Sequence, residues 1–393
     1  MRQNILRPSS EQSSPVSKRP WGPSFQLEET DHLKGMAGFL LFLRRGFELC
    51  YSISMTTSTK KRILTGVRPT GPLHLGHYVG ALENWLKLQD EYECFFLISD
   101  YQALGDHLGE TDRIRNSVID VTLDWLSVGL DPKKCSFVIQ SYVPEHAELF
   151  MLLSMFVPLS LVDRNPTLKA EIIQQKKSDV SLGFYNYPVS QAADILLPRA
   201  DLVPVGEDQL PHIELTREIV RKFNSVYGDV FKEPQALVGR IPRLIGIDGK
   251  AKASKSLNNC IFLSDSAETV NKKVKSMYTD PTRLKATDPG HVEGNVVFNY
   301  LDAFHPDAQE LTKLKKTYEA GQVGDGEVKN ILAKILNDFL QPIRERRVYF
   351  LAHPEEVERA LLDGTERAKK IAVATMNDVR NAMKISGYEN MNK

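Results

Sequence analysis

Four groups of side chains in this sequence have the types and spacing that chemistry requires. His74 and His77 stand three positions apart at the end of RILTGVRPTGPLHLGHYVG, residues 62–80. A short apolar run over 62–64 there meets a turn broken by Gly66, Pro69, Gly71 and Pro72. A strand that turns sharply into a helix start presents orphan N–H groups and the positive end of the helix dipole to an anion. Two imidazoles at i, i+3 share one face of that first turn; the same spacing also fits a surface or half-buried pair. Lys250, Lys252 and Lys255 lie in the glycine-punctuated stretch GIDGKAKASKS, residues 246–256, where lysines in a loop are ordinarily solvated. Tyr187, Gln191 and Asp194 fall at i, i+4 and i+7, one continuous helical face, with Pro188 suited to the first turn. A carboxylate on such a half-buried face needs a donor, which a substrate N–H or O–H can supply, unless the stripe is simply exposed. Finally, Glu207, Asp208 and Gln209 follow a short strand at Val203–Val205 and the turn at Gly206; an acid at a strand end suits ribose hydroxyls.

The elements that must hold these groups alternate. After the first strand, apolar positions Tyr78, Val79, Leu82, Trp85 and Leu86 predict a helix over 78–90. ECFFLIS (93–99) reads as a strand buried on both faces, with Asp100 and Gln102 at its C-terminal end. A helix over 111–129 with Thr111 as N-cap, a strand over 136–140 and a helix over 145–157 continue the series. Strand, helix, strand, helix is the doubly wound α/β pattern, without the GxGxxG of a dinucleotide fold. A polar segment from Arg164 to Ser181, with Lys169, Lys176 and Lys177, is either solvated or a basic segment near phosphates. From Asp265 onward the helical period dominates, over 266–278, 308–319, 327–350, 355–362 and 365–384. Its basic residues Lys272, Lys273, Lys275, Arg344, Arg346, Arg347 and Arg380 read mostly as ordinary helix-surface charges.

Bulk properties narrow the classes. The 393 residues suffice for two domains, and 50 basic against 50 acidic side chains predict no overall attraction to nucleic acid or membrane, so an RNA surface has to be local. Cys50, Cys94, Cys135 and Cys260 show no zinc spacing, so no protein-held metal is expected, and they suit a reducing cytoplasm. Residues 1–54 differ from the rest: Ser-, Pro- and Arg-rich, with one apolar run, MAGFLLFL, followed by Arg44 and Arg45. They read as a disordered or accessory extension, a transit peptide, or a stretch preceding a natural start at Met55.

HLGH at 74–77 and KASKS at 252–256 resemble, in this order, the HIGH and KMSKS signatures of class I aminoacyl-tRNA synthetases. YPVSQAADIL (187–196) and VGEDQLPHIELTRE (205–218) resemble motifs of the bacterial tryptophanyl group and its tyrosyl sister. The resemblance covers about residues 60–390 and implies a Rossmann-like catalytic domain over 55–256, a helical anticodon-binding domain over 257–393 and a homodimer. It implies activation of tryptophan by ATP with Mg²⁺, then transfer to tRNA(Trp). His74, His77, Lys252 and Lys255 would be catalytic. Arg68, Pro69, Thr70, Gly76, Gly206, Glu207, Asp208, Leu244, Ala253, Ser254 and Ser256 would complete the ATP site. Leu64, Tyr187, Gln191, Asp194, Val203, Val205 and Gln209 would bind tryptophan, with Asp194 on the indole N–H. Leu64 stands where tyrosyl enzymes carry a tyrosine for the substrate phenol. The chain departs from the family at Glu171, where relatives often carry lysine, at Gln191 and at Ala253. Tyrosine activation, a non-catalytic paralogue and a nucleotidyltransferase with the same turn are the alternatives.

Overall fold

The chain divides into two units, Met1–Met55 and Thr56–Lys393. The computed structural model describes residues 60–174, 179–238, 243–279, 283, 285 and 287–387, all in the second unit. The extension over 1–54, Lys176 and Lys177 lie outside the described residues.

Five strands form a parallel sheet: β1 (Arg62–Val67), β2 (Glu93–Ile98), β3 (Cys135–Ile139), β4 (Leu202–Val205) and β5 (Gln235–Val238), in the order β3-β2-β1-β4-β5. The doubly wound expectation holds. β2 and β3 are apolar on both faces because helices cover both. Trp85, from α1 (Glu83–Glu91), stacks on Phe96 at 4.6 Å between centroids. Trp125, from α3 (Thr111–Val128), packs against Phe137 at 5.2 Å. A short helix α2 (Asp100–Asp106) opens directly from the end of β2. Thr111 is the first residue of α3 rather than its N-cap, a position held by Glu110. Between the HLGH turn and α1, Tyr78–Leu82 form a π-turn in place of regular α-helix. β5, four residues between proline and glycine, is too short to show periodicity and was not expected.

Helices α4 (Glu145–Ser154), α5 (Pro166–Gln174), α6 (Tyr187–Leu196) and α7 (Leu210–Tyr227) surround the sheet. The C-terminal part is helical: α8 (Ala267–Lys275), α9 (Val296–Phe304), α10 (Ala308–Glu319), α11 (Asp325–Ala352) and α12 (Pro354–Ala382). The period predicts two helices on either side of Gly364; they are one. The glycine is there for close approach, because a Cβ on it would meet the Phe137 carbonyl oxygen at 2.3 Å. At that contact α12 covers the open edge of β3. Ile139 N–H donates to Thr365 Oγ1 (3.1 Å), and Arg367 donates to Ser136 Oγ and the Cys135 carbonyl. The edge's ladder groups thus find partners that a sheet would otherwise supply.

The basic side chains of the C-terminal helices are not all surface charges. Arg346 donates to the Ser127 carbonyl, Arg344 to that of Asp265, and Arg347 pairs with Asp124 and Asp120. Arg380 pairs with Glu148, and Lys273 with Asp265. Arg346 and Arg347 tie the late helices to α3, and Arg380 ties them to α4. Arg344 and Lys273 bond within the C-terminal part, leaving Lys272 and Lys275 exposed.

Candidate active site

The site begins where the sheet opens. β1 pairs with β2 along its whole length but with β4 at one register position only, Ile63 against Leu202. Beyond it the two strands diverge, and their C-terminal ends line a cavity of about 1010 Å³ at the point where strand order reverses. Gly66 sits on β1 facing this space; a Cβ there would lie 2.3 Å from the Leu97 carbonyl oxygen.

All seven residues expected to bind tryptophan line this one cavity: Leu64, Tyr187, Gln191, Asp194, Val203, Val205 and Gln209. Helical spacing on α6 accounts for Tyr187, Gln191 and Asp194, and strand alternation for Val203 and Val205. Asp194 is 3% exposed, and its charge is met from two sides. Oδ1 accepts from Gln140 Nε2 (2.7 Å) and Oδ2 from Gln102 Nε2 (2.9 Å). The Gln140 amide is fixed because its Oε1 accepts from the Tyr101 N–H. His146 Nδ1 lies 2.9 Å from Oδ1, off the line of a hydrogen bond. A carboxylate has about four acceptor positions, so two amides leave capacity for a substrate donor.

Tyr187 is oriented through a chain with one direction. Asn165 Oδ1 accepts from the backbone N–H groups of Thr167 and Leu168, so its Nδ2 faces His212 Nδ1 and donates. Burial holds the His212 pKa down to about 4, and the neutral ring keeps its proton on Nε2, 3.0 Å from the Tyr187 hydroxyl. The phenol O–H then has the Glu171 carboxylate as its acceptor on the cavity side. Burial first, then the nearby Glu171 carboxylate, raises the Tyr187 pKa far above the working range. Glu171 lines the cavity and lies 3.9 Å from Arg68, which pairs with Asp106.

The second cluster stands beside the cavity, outside its lining. His77 Nδ1 accepts from the His74 N–H (3.2 Å), and His74 Nδ1 accepts from the Gly76 N–H (3.0 Å). Both rings use Nδ1 as acceptor, so each carries its proton on Nε2 and can donate there. Burial, then Lys255 and Lys252, hold the His74 pKa at about 4; burial and His74 hold His77 well below its ordinary value. Lys255 Nζ donates to the Gly71 carbonyl (2.7 Å) and lies 3.4 Å from Thr70 Oγ1. Burial lowers its pKa to about 8, against the opposing pull of Asp124. Histidine donors and a lysine cation therefore converge on one turn, a set suited to an anion.

Backbone pairing holds the two signatures together. Leu75 N–H donates to Ile261 O, and Leu263 N–H to Leu73 O (2.9 and 3.0 Å). The second loop is a folded hairpin: Ile245 bridges Lys252, Ala253 N–H donates to the carbonyl of buried Leu244, and Ser254 N–H to Asn259 Oδ1. Ala253 is buried, Ser254 and Ser256 join through their hydroxyls, and Lys252 is exposed. Pro69 is buried behind the first turn. Arg68 and Gly206 line the cavity, while Glu207 and Asp208 are exposed on the turn that follows.

Residues 56–341 match the family described as tRNA synthetases class I (W and Y). The chain belongs to that family. It is 50% identical over 338 residues to the tryptophan–tRNA ligase of Clostridium longisporum, covering 84% of this chain and 99% of the relative. The tryptophan–tRNA ligase of Lactococcus lactis is 49% identical over 343 residues, 84% of this chain and 100% of the relative. Among solved structures, tryptophanyl-tRNA synthetase from Campylobacter jejuni, complexed with ADP and tryptophan, superposes with a TM-score of 0.73 at 34% identity. That match covers 82% of this chain and 99% of the other. Tyrosyl-tRNA synthetase from Archaeoglobus fulgidus shares the fold at 23% identity, with a TM-score of 0.58 over 74% of this chain and 91% of that one.

Three residues of this synthetase's site were not foreseen from the sequence as site residues. Gln140 and His146 come from β3's end and α4, and meet Asp194 only in the fold. His212 stands in a motif already recognised, but nothing in its spacing shows that it faces Tyr187.

Proposed function

We propose that this chain joins L-tryptophan to tRNA(Trp), first forming tryptophanyl-adenylate from ATP. Family membership and about 50% identity to tryptophan–tRNA ligases over nearly their full length support the reading. The observation that carries the choice of amino acid is the cavity itself. Asp194 stands buried with acceptor capacity left, and Leu64, Val203 and Val205 offer apolar wall and no partner for a phenol. An indole N–H needs one acceptor; a tyrosine hydroxyl would be left short of one. The tryptophan carboxylate attacks the α-phosphate, and pyrophosphate leaves with Mg²⁺ brought in as the ATP complex. His74 and His77 donate from Nε2 to the phosphates, while Lys252 and Lys255 neutralise the charge that grows on the leaving group. No side-chain nucleophile takes part. Amino-acid-dependent ATP–pyrophosphate exchange tests this. Tryptophan is expected to be preferred over tyrosine by about a thousandfold in kcat/KM; equal or better exchange with tyrosine overturns the assignment.

The reading extends to assembly. Met151, Met155, Leu159 and Val226 are exposed, and Phe156, just past α4, packs at a tilt on Phe223 and edge-on to Tyr227 of α7. Such an apolar patch suits a homodimer interface. The helical part, residues 257–393, is assigned to the anticodon, with exposed Lys272 and Lys275 as phosphate contacts. A single species at monomer mass in sedimentation equilibrium at micromolar concentration would remove the dimer.

A further inference from the structure

The turn that carries His74 is gripped from behind by a fully buried carboxylate. Asp124, on α3, is 0% exposed. Its Oδ2 accepts from the Leu73 N–H at 2.6 Å, the residue immediately before His74. Its Oδ1 accepts from Arg347 Nη1 at 2.5 Å, and the other Arg347 nitrogen reaches Asp120 at 3.1 Å. Leu73 is held on its other side as well, its carbonyl accepting from Leu263 beyond the second lysine loop. On the near face of the same turn, Lys255 sits on the Gly71 carbonyl. A buried charge persists only when paired and hydrogen-bonded, and Asp124 has both, from two distant elements.

We propose that Asp124, paired with Arg347 of α11, is a positioning residue of the adenylation site that fixes the turn carrying His74 and the Gly71 carbonyl on which Lys255 sits. The proposal rests on the functional reading above for its kinetic consequences. The charged groups facing Asp124 are Arg347 from α11, Asp120 one turn earlier on α3 and Lys255 from the loop. Those acting on Lys255 are Asp124 first, then Cys260, Arg113 and Asp120. Burial alone would neutralise this carboxylate, its pKa standing at about 7 even with Arg347 opposing. Loss of the arginine should raise that pKa further and weaken the carboxylate as the acceptor of the Leu73 N–H.

The test reads Lys255 directly, by ¹³Cε NMR of lysine-labelled full-length protein, beside the pH profile of ATP–pyrophosphate exchange. In Asp124→Asn the Lys255 pKa should fall by about one unit from its wild-type value. The alkaline limb of kcat/KM for ATP should move down with it, kcat should drop by about tenfold, and tryptophan KM should stay within about twofold. Arg347→Met should produce the same downward shift and Arg347→Lys should reverse most of it, which keeps the proposal decidable if Asp124→Asn does not fold. A purely structural role would lower the melting temperature and leave the Lys255 titration where it was; that result overturns the proposal. Absence of tryptophan-dependent exchange in the wild type would overturn the functional reading, while the NMR shift would still decide this one.

Discussion

Lys255 is a half-buried ammonium whose pKa burial lowers to about 8, and on the proposed reading its charge meets the leaving pyrophosphate. In the free enzyme its proton is lost as pH rises through that value, so kcat/KM for ATP should decline above about pH 8 with a single ionisation. Bound phosphates stabilise the cation, so the limb in kcat should lie at higher pH. Lys255→Arg should abolish the limb, and Lys255→Ala should cost about a hundredfold in kcat with a smaller effect on tryptophan KM. Normal kcat in the alanine variant would remove the loop from the mechanism. His74 behaves differently: with its pKa at about 4 it remains a neutral donor through neutrality, so no limb is expected near 6.5. Asp194→Ala should lower kcat/KM for tryptophan by about a hundredfold or more and leave the Gln140 amide without its acceptor, while Gln102 keeps Ser190 Oγ. Exchange that survives the substitution would take the indole contact away from this carboxylate.

Among the elements, the contact of α12 with β3 is the least expected. Glycine within an exposed helix costs about 1 kcal/mol against alanine, so Gly364→Ala on propensity alone would stabilise the protein. The Phe137 backbone 2.3 Å from the new Cβ reverses the sign. Separation of helix and strand should cost about 1–3 kcal/mol, seen as a lower thermal midpoint. A midpoint that rises would show that α12 can step back from the sheet edge freely. The splay of β1 from β4 belongs to this scale too, because it opens a cavity between the C-terminal ends of two central strands.

For the whole molecule, the family match starts at residue 56, and a relative matched over 99% of its own length covers 84% of this chain. A protein beginning at Met55 is therefore expected to keep its exchange rate and its melting temperature. A large fall in either would give residues 1–54 a part in the enzyme. At this scale the late helices are bound to the helices that cover the sheet by Arg346, Arg347 and Arg380, which the sequence offers equally well to solvent or to RNA.

Patterns with short range were legible in the sequence by itself. Helical spacing put Tyr187, Gln191 and Asp194 on one face, strand alternation paired Val203 with Val205, and the two signatures with their glycine-rich turns marked the phosphate side. Apolar runs of strand length between helical periods were enough for the doubly wound class. Tertiary structure alone decided what meets those faces. Gln140 and His146 reach Asp194, His212 reaches Tyr187, and Arg347 reaches Asp124 across 223 positions. It also decided that Gly364 continues a helix and that Gln235–Val238 makes a strand. The reason is physical: periodicity records which way a side chain faces, whereas partners of buried polar groups come from whichever segments packing brings together. Their residue types alone, glutamine, histidine or arginine, serve equally well in water.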